Sequence, residues 1–195
     1  MKITSVLIYN CFDKNAKFLD YAGGYGIFTR LMRDYGFDFY WNDKYSNNLL
    51  AKGFEYDKQN AGDTIELISA FECFEHFLNP MEEIKKILKI SKNILLTTKL
   101  LPNPIPNPDW WYYGLDHGQH ISFYSSKTLK YIVDYFGLRL YSDGSNLHLI
   151  TDKKINSLFF KFLIKAENTF IYKLLLNKPL KSKTFEDMNY LKSRL

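Results

Sequence analysis

Apolar and polar positions alternate between two kinds of segment over the first 150 residues. Longer segments with apolar side chains three or four positions apart predict helices over Ile27–Asp34, Pro80–Ile90 and Ser125–Phe136. Short apolar runs bounded by turn residues predict strands at Lys17–Tyr21, Phe37–Trp41, Ile65–Phe71, Asn93–Thr98, Leu138–Tyr141 and Leu147–Thr151. Strands that alternate with helices are typical of βαβ units. The pattern therefore predicts an α/β fold with a doubly wound, mostly parallel sheet.

The pattern changes near residue 152, which divides the chain into a main domain over residues 1–152 and a tail over residues 153–195. Between Ile155 and Asn177 the tail is rich in Leu and Phe but interrupted by lysines, so it is too polar to span a bilayer. We expect a basic amphipathic helical tail. Packing on its own domain, a homodimer contact and contact with a membrane surface remain the alternatives.

The formal net charge of +5 is concentrated in the tail. From Thr151 onward there are 10 Lys and Arg against 4 Asp and Glu, so the first 150 residues are close to neutral. A nucleic-acid groove across the main domain would need clustered basic residues there. The charge distribution therefore argues against a nucleic-acid partner.

The two cysteines and the N-terminal residues indicate the cellular compartment of the protein. Cys11 and Cys73 fit no metal-binding spacing, and two distant cysteines do not form a disulfide framework. Residues 1–10 have a short apolar run without a small-residue cleavage site, which does not fit a signal peptide. These features predict a cytoplasmic protein, peripheral to the inner membrane if the tail binds lipid.

The segment between the first strand and the first predicted helix has the composition of a nucleotide-binding loop. The strand ends in Asp20, closely spaced glycines follow, and a helix begins after Gly26. Such glycines let the backbone approach a ligand, and the helix N-terminus offers free N–H groups. A dinucleotide-binding loop would need a third small residue where Thr29 stands. Asp20 is outside that pattern but could hold a cationic amino group.

This loop resembles the first motif of the class I S-adenosylmethionine-dependent methyltransferases, D-x-G-x-G-x-G. Asp20, Gly24 and Gly26 match the motif, and Ala22 replaces its first glycine. The resemblance implies a Rossmann-like methyltransferase fold with S-adenosylmethionine as cofactor. It also implies that Asp20, Ala22, Gly23, Gly24 and Gly26 surround the methionine moiety.

Two later segments extend the resemblance. Asp43, followed by Lys44, matches the acid that accepts the ribose hydroxyls, and the adenine-contacting segment is expected near Gln59–Asp63. Glu72, directly after Phe71 at the end of the predicted strand, begins an E-x-x-E-H run that ends at His76, and Glu72 matches the position beside the methyl group. Small bacterial methyltransferase-domain proteins share this run and a G-Q-H-[IL]-x-F-Y-S element, here residues 118–125.

The candidate residues for the methyl acceptor lie in a long loop, Leu101–Tyr124. Its aromatic side chains Trp110, Trp111 and Tyr113 could stack on a flat substrate or form a lid on their own domain. Imidazole is the side chain best suited to general-base catalysis, so His117 and His120 are the candidate bases, with His117 preferred for its flanking Asp116 and Gly118. A structural role for both histidines is the alternative. The spacing forces no further ligand beside them, so no metal site is predicted.

The leading hypothesis is an S-adenosylmethionine-dependent enzyme that O-methylates a small polar acceptor. A sugar or cell-surface glycan precursor is the expected substrate, because the resemblance includes bacterial enzymes of glycan biosynthesis. Methylation of nitrogen or carbon on another small molecule is the first alternative. A non-catalytic S-adenosylmethionine-binding partner subunit is the second.

Overall fold

The computed structural model describes residues 1–57, 64–165, 169–176 and 180–194. The chain forms two compact units. The first comprises Met1–Ser69 together with Ile155–Leu195, and the second is the continuous segment Ala70–Lys154. The segment beyond residue 155, which the sequence pattern sets apart as a tail, thus belongs to the same unit as the N-terminal residues.

The described strands form one six-stranded sheet with the order β2-β1-β3-β4-β6-β5. Their bounds are β1 Lys17–Tyr21, β2 Asp38–Asn42, β3 Leu67–Phe71, β4 Ile94–Thr97, β5 Arg139–Ser142 and β6 Leu147–Thr151. Strand β1 pairs in parallel with β2 and β3, whereas β6 pairs antiparallel with β4 and β5. The α/β fold class is confirmed.

Seven α-helices occur in the described residues. They are α1 Lys2–Cys11, α2 Ile27–Asp34, α3 Pro80–Leu88, α4 Ser126–Tyr135, α5 Ser157–Leu163, α6 Thr169–Leu175 and α7 Thr184–Lys192. Two single turns of 3₁₀ helix lie at Phe74–His76 and Trp111–Tyr113. The hydroxyl of Ser125 accepts a hydrogen bond from the backbone N–H of Thr128 and so caps the N-terminus of α4.

The burial of the strands explains the apolar runs in the sequence. Phe18 and Leu19 of β1 are buried, as is every residue of β6. A strand buried on both faces reads as a continuous apolar run, because neither face meets water. Lys17 and Tyr21 flank the core of β1 and are partly exposed, so Asp20 is the one charged residue that this strand carries into the interior.

The C-terminal residues pack within the first unit as short helices. Phe160 and Leu163 of α5 are buried, and Asp187 of α7 forms a bidentate ion pair with Arg33 of α2. None of the helices in the described ranges has the length and apolarity that a membrane crossing requires.

Candidate functional site

The loop after β1 takes a conformation that an L-residue adopts at a cost. Ala22 has φ +57°, in the left-handed region, and Gly26, the N-cap of α2, has φ +87°. Glycine occupies this region without the steric penalty of a β-carbon. The first glycine of the methyltransferase motif thus corresponds to a strained alanine here, and the turn closes despite the substitution.

Gly23 is required by the close approach of side chains rather than by its own φ. A β-carbon at this position would lie 2.7 Å from Oδ2 of Asp20 and 2.8 Å from Cδ1 of Trp41. The Gly23 backbone N–H also donates to the Asn42 carbonyl at 3.1 Å. Gly23 therefore lets the loop pack directly against the acid at the end of β1.

Asp20 is a buried acid held by two hydroxyl groups. Its Oδ1 accepts a hydrogen bond from Ser69 at 2.9 Å, and its Oδ2 accepts one from Thr29 at 3.1 Å. Thr29 stands where a dinucleotide-binding loop would have its third small residue, and its hydroxyl is used by Asp20 instead. Burial raises the pKa of Asp20 to about 6, with a smaller contribution from the negative charge of Asp43.

Asp20 has no cationic partner in the part of the chain that the structure describes. Among the described residues, none of the ion pairs includes Asp20. A buried carboxylate without a counter-charge is costly, and a bound cation would offset that cost. The site is therefore electrostatically suited to a positively charged group.

Asp43 joins the glycine loop to the turn after β2. Its Oδ2 accepts a hydrogen bond from the Gly24 N–H at 2.9 Å, and its Oδ1 accepts from the N–H groups of Tyr45 and Ser46 at 2.7 and 2.8 Å. Asp43 is half-exposed. The predicted ribose acid thus lies next to the loop, and in this structure it organises the backbone there.

Other residues that sequence reasoning missed brace the same loop. The Trp41 indole N–H donates to the Gly24 carbonyl at 3.0 Å, and the Tyr25 carbonyl accepts from the N–H groups of Leu49 and Leu50. The strand position of Trp41 was visible in the sequence, but its hydrogen bond to a loop 17 residues away was not. Lys44 is exposed, with its Nζ 5.2 Å from the centroid of the Tyr45 ring. The expected adenine segment at Gln59–Asp63 lies outside the described residues.

In the second unit, a strained residue follows β3. Glu72 has φ +48° although it is not glycine, and its N–H donates to the carbonyl and to the hydroxyl of Thr97 at 3.2 and 3.0 Å. Such strain persists only where the surroundings enforce it, and it clusters at functional sites. The Glu72 side chain is exposed, and Phe71 before it is half-buried.

In the second unit, hydrogen bonds join the E-x-x-E-H run to the G-Q-H-I-x-F-Y-S element. The Glu75 carbonyl accepts hydrogen bonds from the N–H groups of Ile121 and Ser122, and Nδ1–H of His76 donates to the Gln119 carbonyl at 2.9 Å. The Tyr124 hydroxyl donates to the Phe74 carbonyl at 2.9 Å. The E-x-x-E-H run and the G-Q-H-I-x-F-Y-S element are therefore two sides of one hydrogen-bonded arrangement.

The two candidate bases differ in which ring nitrogen is available. Nδ1 of His120 lies 2.6 Å from the Tyr112 carbonyl. Because a carbonyl only accepts hydrogen bonds, this nitrogen carries the proton and Nε2 keeps a free lone pair. In His117, Nδ1 accepts a hydrogen bond from the Gln119 N–H at 3.3 Å, which uses that lone pair. The geometry therefore favours His120 over His117 as a proton acceptor.

The four aromatic side chains at residues 110–113 differ in how deeply they are buried. Tyr112 is buried, and its hydroxyl accepts a hydrogen bond from the Lys99 N–H at 2.9 Å, while burial raises the pKa of Tyr112 to about 12. Trp110 and Tyr113 are half-buried and pack edge to face at 5.0 Å. Trp111 is 73% exposed. Of the three predicted substrate-binding residues, Trp111 alone presents most of its side chain to solvent.

The family is established by comparison with known proteins. Residues 4–143 match the model of a family described as a methyltransferase domain. This segment covers most of the chain and includes the glycine loop, the E-x-x-E-H run and the G-Q-H-I-x-F-Y-S element. The chain therefore belongs to the methyltransferase-domain family, and the family prediction is confirmed. A search of the curated proteins found no match.

Solved structures support the same fold. The crystal structure of OxaC is 17% identical, covers 74% of this chain and aligns with a TM-score of 0.51. A protein of Bacillus halodurans C-125, provisionally assigned as a methyltransferase, is also 17% identical and covers 72% of this chain with a TM-score of 0.51. The match spans 44% of OxaC and 70% of the Bacillus protein. This chain thus aligns with less than half of OxaC.

The left-handed conformation of Ala22 leads to a prediction about stability. We expect Ala22→Gly to raise the free energy of unfolding by about 0.5–1 kcal/mol, because the strain relieved exceeds the backbone entropy that glycine adds to the unfolded chain. The matched control is Ala16→Gly, where φ is not positive and a loss of similar size is expected. Urea unfolding of the three proteins measures both changes. A loss of stability in both variants would contradict the strain assigned to Ala22.

Proposed function

We propose that this protein transfers a methyl group from S-adenosylmethionine to an oxygen atom of a small polar acceptor. The family supports methyl transfer as the reaction class. The choice of donor is supported by the first unit, where a glycine loop, a buried acid and a second acid occur together. OxaC, which shares the fold, has been crystallised with S-adenosylhomocysteine and oxaline.

The observation that carries the proposal is the uncompensated charge of Asp20 beside the glycine loop. S-adenosylmethionine carries a cationic amino group and a cationic sulfonium, whereas dinucleotides carry anionic phosphates. A buried carboxylate next to the glycine loop attracts the cationic groups of S-adenosylmethionine and repels the phosphates of a dinucleotide. We expect Asp43, half-exposed beside Gly24, to accept the ribose hydroxyls.

The oxygen acceptor is supported by the second unit. Methylation of a hydroxyl requires removal of its proton, and Nε2 of His120 has a lone pair for that purpose. The exposed indole of Trp111 offers a flat apolar face of the kind that stacks on sugar rings. Both features favour a hydroxyl-bearing small molecule, with sugar-linked precursors as the first class to test.

Asp20 predicts a pH dependence of cofactor binding. The Asp20 pKa is raised to about 6 in the free protein, so acidification below pH 6 protonates the carboxyl and removes the charge that attracts the ligand's amino group. Affinity for S-adenosylmethionine should therefore fall by about tenfold between pH 7 and pH 5. Calorimetric titration at the two pH values measures this change. Equal affinity at both would show that the anionic form is not needed.

Transfer of a labelled methyl group tests the reaction. Wild-type protein with labelled S-adenosylmethionine should label sugar nucleotides and other hydroxyl compounds in a panel that also contains amines. His120→Ala should lower kcat by about 10²- to 10⁴-fold, the contribution of a general base, and leave cofactor affinity unchanged. His117→Ala should have the smaller effect. Label in amines alone would favour N-methylation, and cofactor binding without any transfer would favour a partner subunit.

A further inference from the structure

Three side chains of the second unit bring potential metal ligands together. Glu75, His76 and His120 each offer one ligand atom, and these atoms lie within 4.8 Å of one another. Two of the residues are adjacent, but His120 comes from the long loop 44 residues beyond His76. The cluster exists because the Gly118–Ser125 segment is hydrogen-bonded to the 3₁₀ turn at Phe74–His76.

The state of the Glu75 carboxyl favours a bound cation independently of the cluster geometry. Its side chain is fully buried, and neither carboxyl oxygen has a hydrogen-bond partner among the described residues. The hydroxyls of Thr98 and Tyr112, which are hydrogen-bonded to each other, lie close enough to influence this carboxyl but do not form a hydrogen bond with it. A buried acid without hydrogen bonds is costly to keep unless a proton or a cation neutralises it.

Both histidines are oriented as metal ligands commonly are. Nδ1–H of His76 donates to the Gln119 carbonyl, and Nδ1–H of His120 donates to the Tyr112 carbonyl. These bonds fix the tautomer and leave Nε2 as the coordinating nitrogen of each ring. A ligating histidine typically donates its other N–H to a carbonyl or carboxylate in this way.

From this geometry we infer that Glu75, His76 and His120 bind a divalent transition-metal ion, with Zn²⁺ the best suited. Two imidazoles and one carboxylate form a ligand set typical of zinc sites that retain an open coordination position. Mg²⁺ prefers a shell of oxygen ligands and is disfavoured by the imidazoles. Zn–N and Zn–O bonds of about 2.0–2.2 Å require the three atoms to move closer by about 1 Å.

The solvent exposure of the three ligands indicates which groups could fill the open coordination position of the ion. Glu75 is buried, His120 is half-buried and His76 is exposed, so an ion would be held from the protein side and accessible from solvent. Water or an oxygen of a bound molecule could complete the coordination. The sequence analysis predicts no metal, because the spacing forces no further ligand beside His117 and His120; the fold brings Glu75 and His76 to His120.

Metal binding can be tested without the methyl acceptor or donor. Full-length protein treated with chelator is titrated with ZnCl₂, and separately with MgCl₂, by calorimetry. We expect one Zn²⁺ per chain with Mg²⁺ much weaker, and a loss of Zn²⁺ affinity of about 100-fold or more in Glu75→Gln and in His120→Ala. His76→Gln, at an exposed position, provides a ligand variant with little risk to folding.

His117→Ala is the matched control, since this histidine lies in the same loop, with its ring 5.4 Å from that of His120, but outside the cluster. It should retain wild-type Zn²⁺ affinity. Equal affinity in Glu75→Gln and His76→Gln, or an equal loss in His117→Ala, would overturn the assignment and indicate adventitious surface binding. The lone pair on Nε2 of His120 serves either the metal ion or the proton of the acceptor, so a bound ion would replace the base role proposed for His120. The readout is the ion alone, so a failure of metal binding leaves the proposed methyl transfer intact.

Discussion

Replacing Asp20 by asparagine should weaken the binding of S-adenosylmethionine by about 10- to 100-fold. A hydrogen bond to a charged group contributes about 1.5–3 kcal/mol, and the amide removes the charge without changing the size of the side chain. The hydroxyls of Ser69 and Thr29 can still bond to the amide. Calorimetric titration of the variant at pH 7 measures the change.

The same substitution should not destabilise the free protein. The folded-state pKa of Asp20 is raised above that of an exposed aspartate, so the charged form present at pH 7 opposes folding, and this cost disappears on protonation as the pH falls below 6. Asparagine removes the cost at every pH. Asp13→Asn, an exposed acid of the same unit, is the control and should change neither quantity. Wild-type affinity in Asp20→Asn would show that this carboxylate does not hold the ligand.

Replacing Asp187 by alanine should destabilise the first unit by about 3 kcal/mol. Asp187 and Arg33 are both buried and form a bidentate ion pair, with N–O distances of 2.9 and 2.7 Å. Removal of one partner leaves a buried charge, which typically costs 3–5 kcal/mol. Arg33 keeps its ion pair with Asp38 at 2.6 Å, so the lower end of that range is expected.

Chemical denaturation provides the measurement, and Glu186→Ala provides the comparison. Glu186 is in the same helix, and its side chain is 71% exposed in its ion pair with Lys183, so its loss should change stability by less than about 0.5 kcal/mol. A destabilisation of Asp187→Ala no larger than that of Glu186→Ala would show that α7 contributes little to the first unit. The result would also show how much the tail contributes to the first unit, because the Asp187–Arg33 ion pair joins α7 to α2, the helix that follows the glycine loop.

The strand and helix pattern was readable from the sequence because burial imposes it. The bounds of β1, α2 and β6 agree with the predicted segments to the residue. The sequence pattern did not predict a helix at Lys2–Cys11, nor did it divide the C-terminal segment into short helices. The packing partners of both lie far along the chain: α1 contacts α5 and α6.

The candidate site was predictable where function requires a local sequence motif. Asp20, Gly24 and Gly26 lie in one turn, so their spacing in the sequence is enough to predict that they lie close together. In the first unit, the Ser69 hydroxyl and the Trp41 indole reach Asp20 and Gly24 through tertiary packing. In the second unit, packing likewise brings Glu75 to His120. The sequence likewise favoured His117 by its neighbours, whereas the tautomer that favours His120 depends on the Tyr112 carbonyl.

The central claim is that the first unit binds S-adenosylmethionine through the loop from Asp20 to Gly26. Calorimetric titration of the wild-type protein with S-adenosylmethionine, run in parallel with a nicotinamide dinucleotide, tests it most directly. We predict one bound S-adenosylmethionine per chain and no binding of the dinucleotide. Absence of S-adenosylmethionine binding, or equal binding of the dinucleotide, would contradict the account.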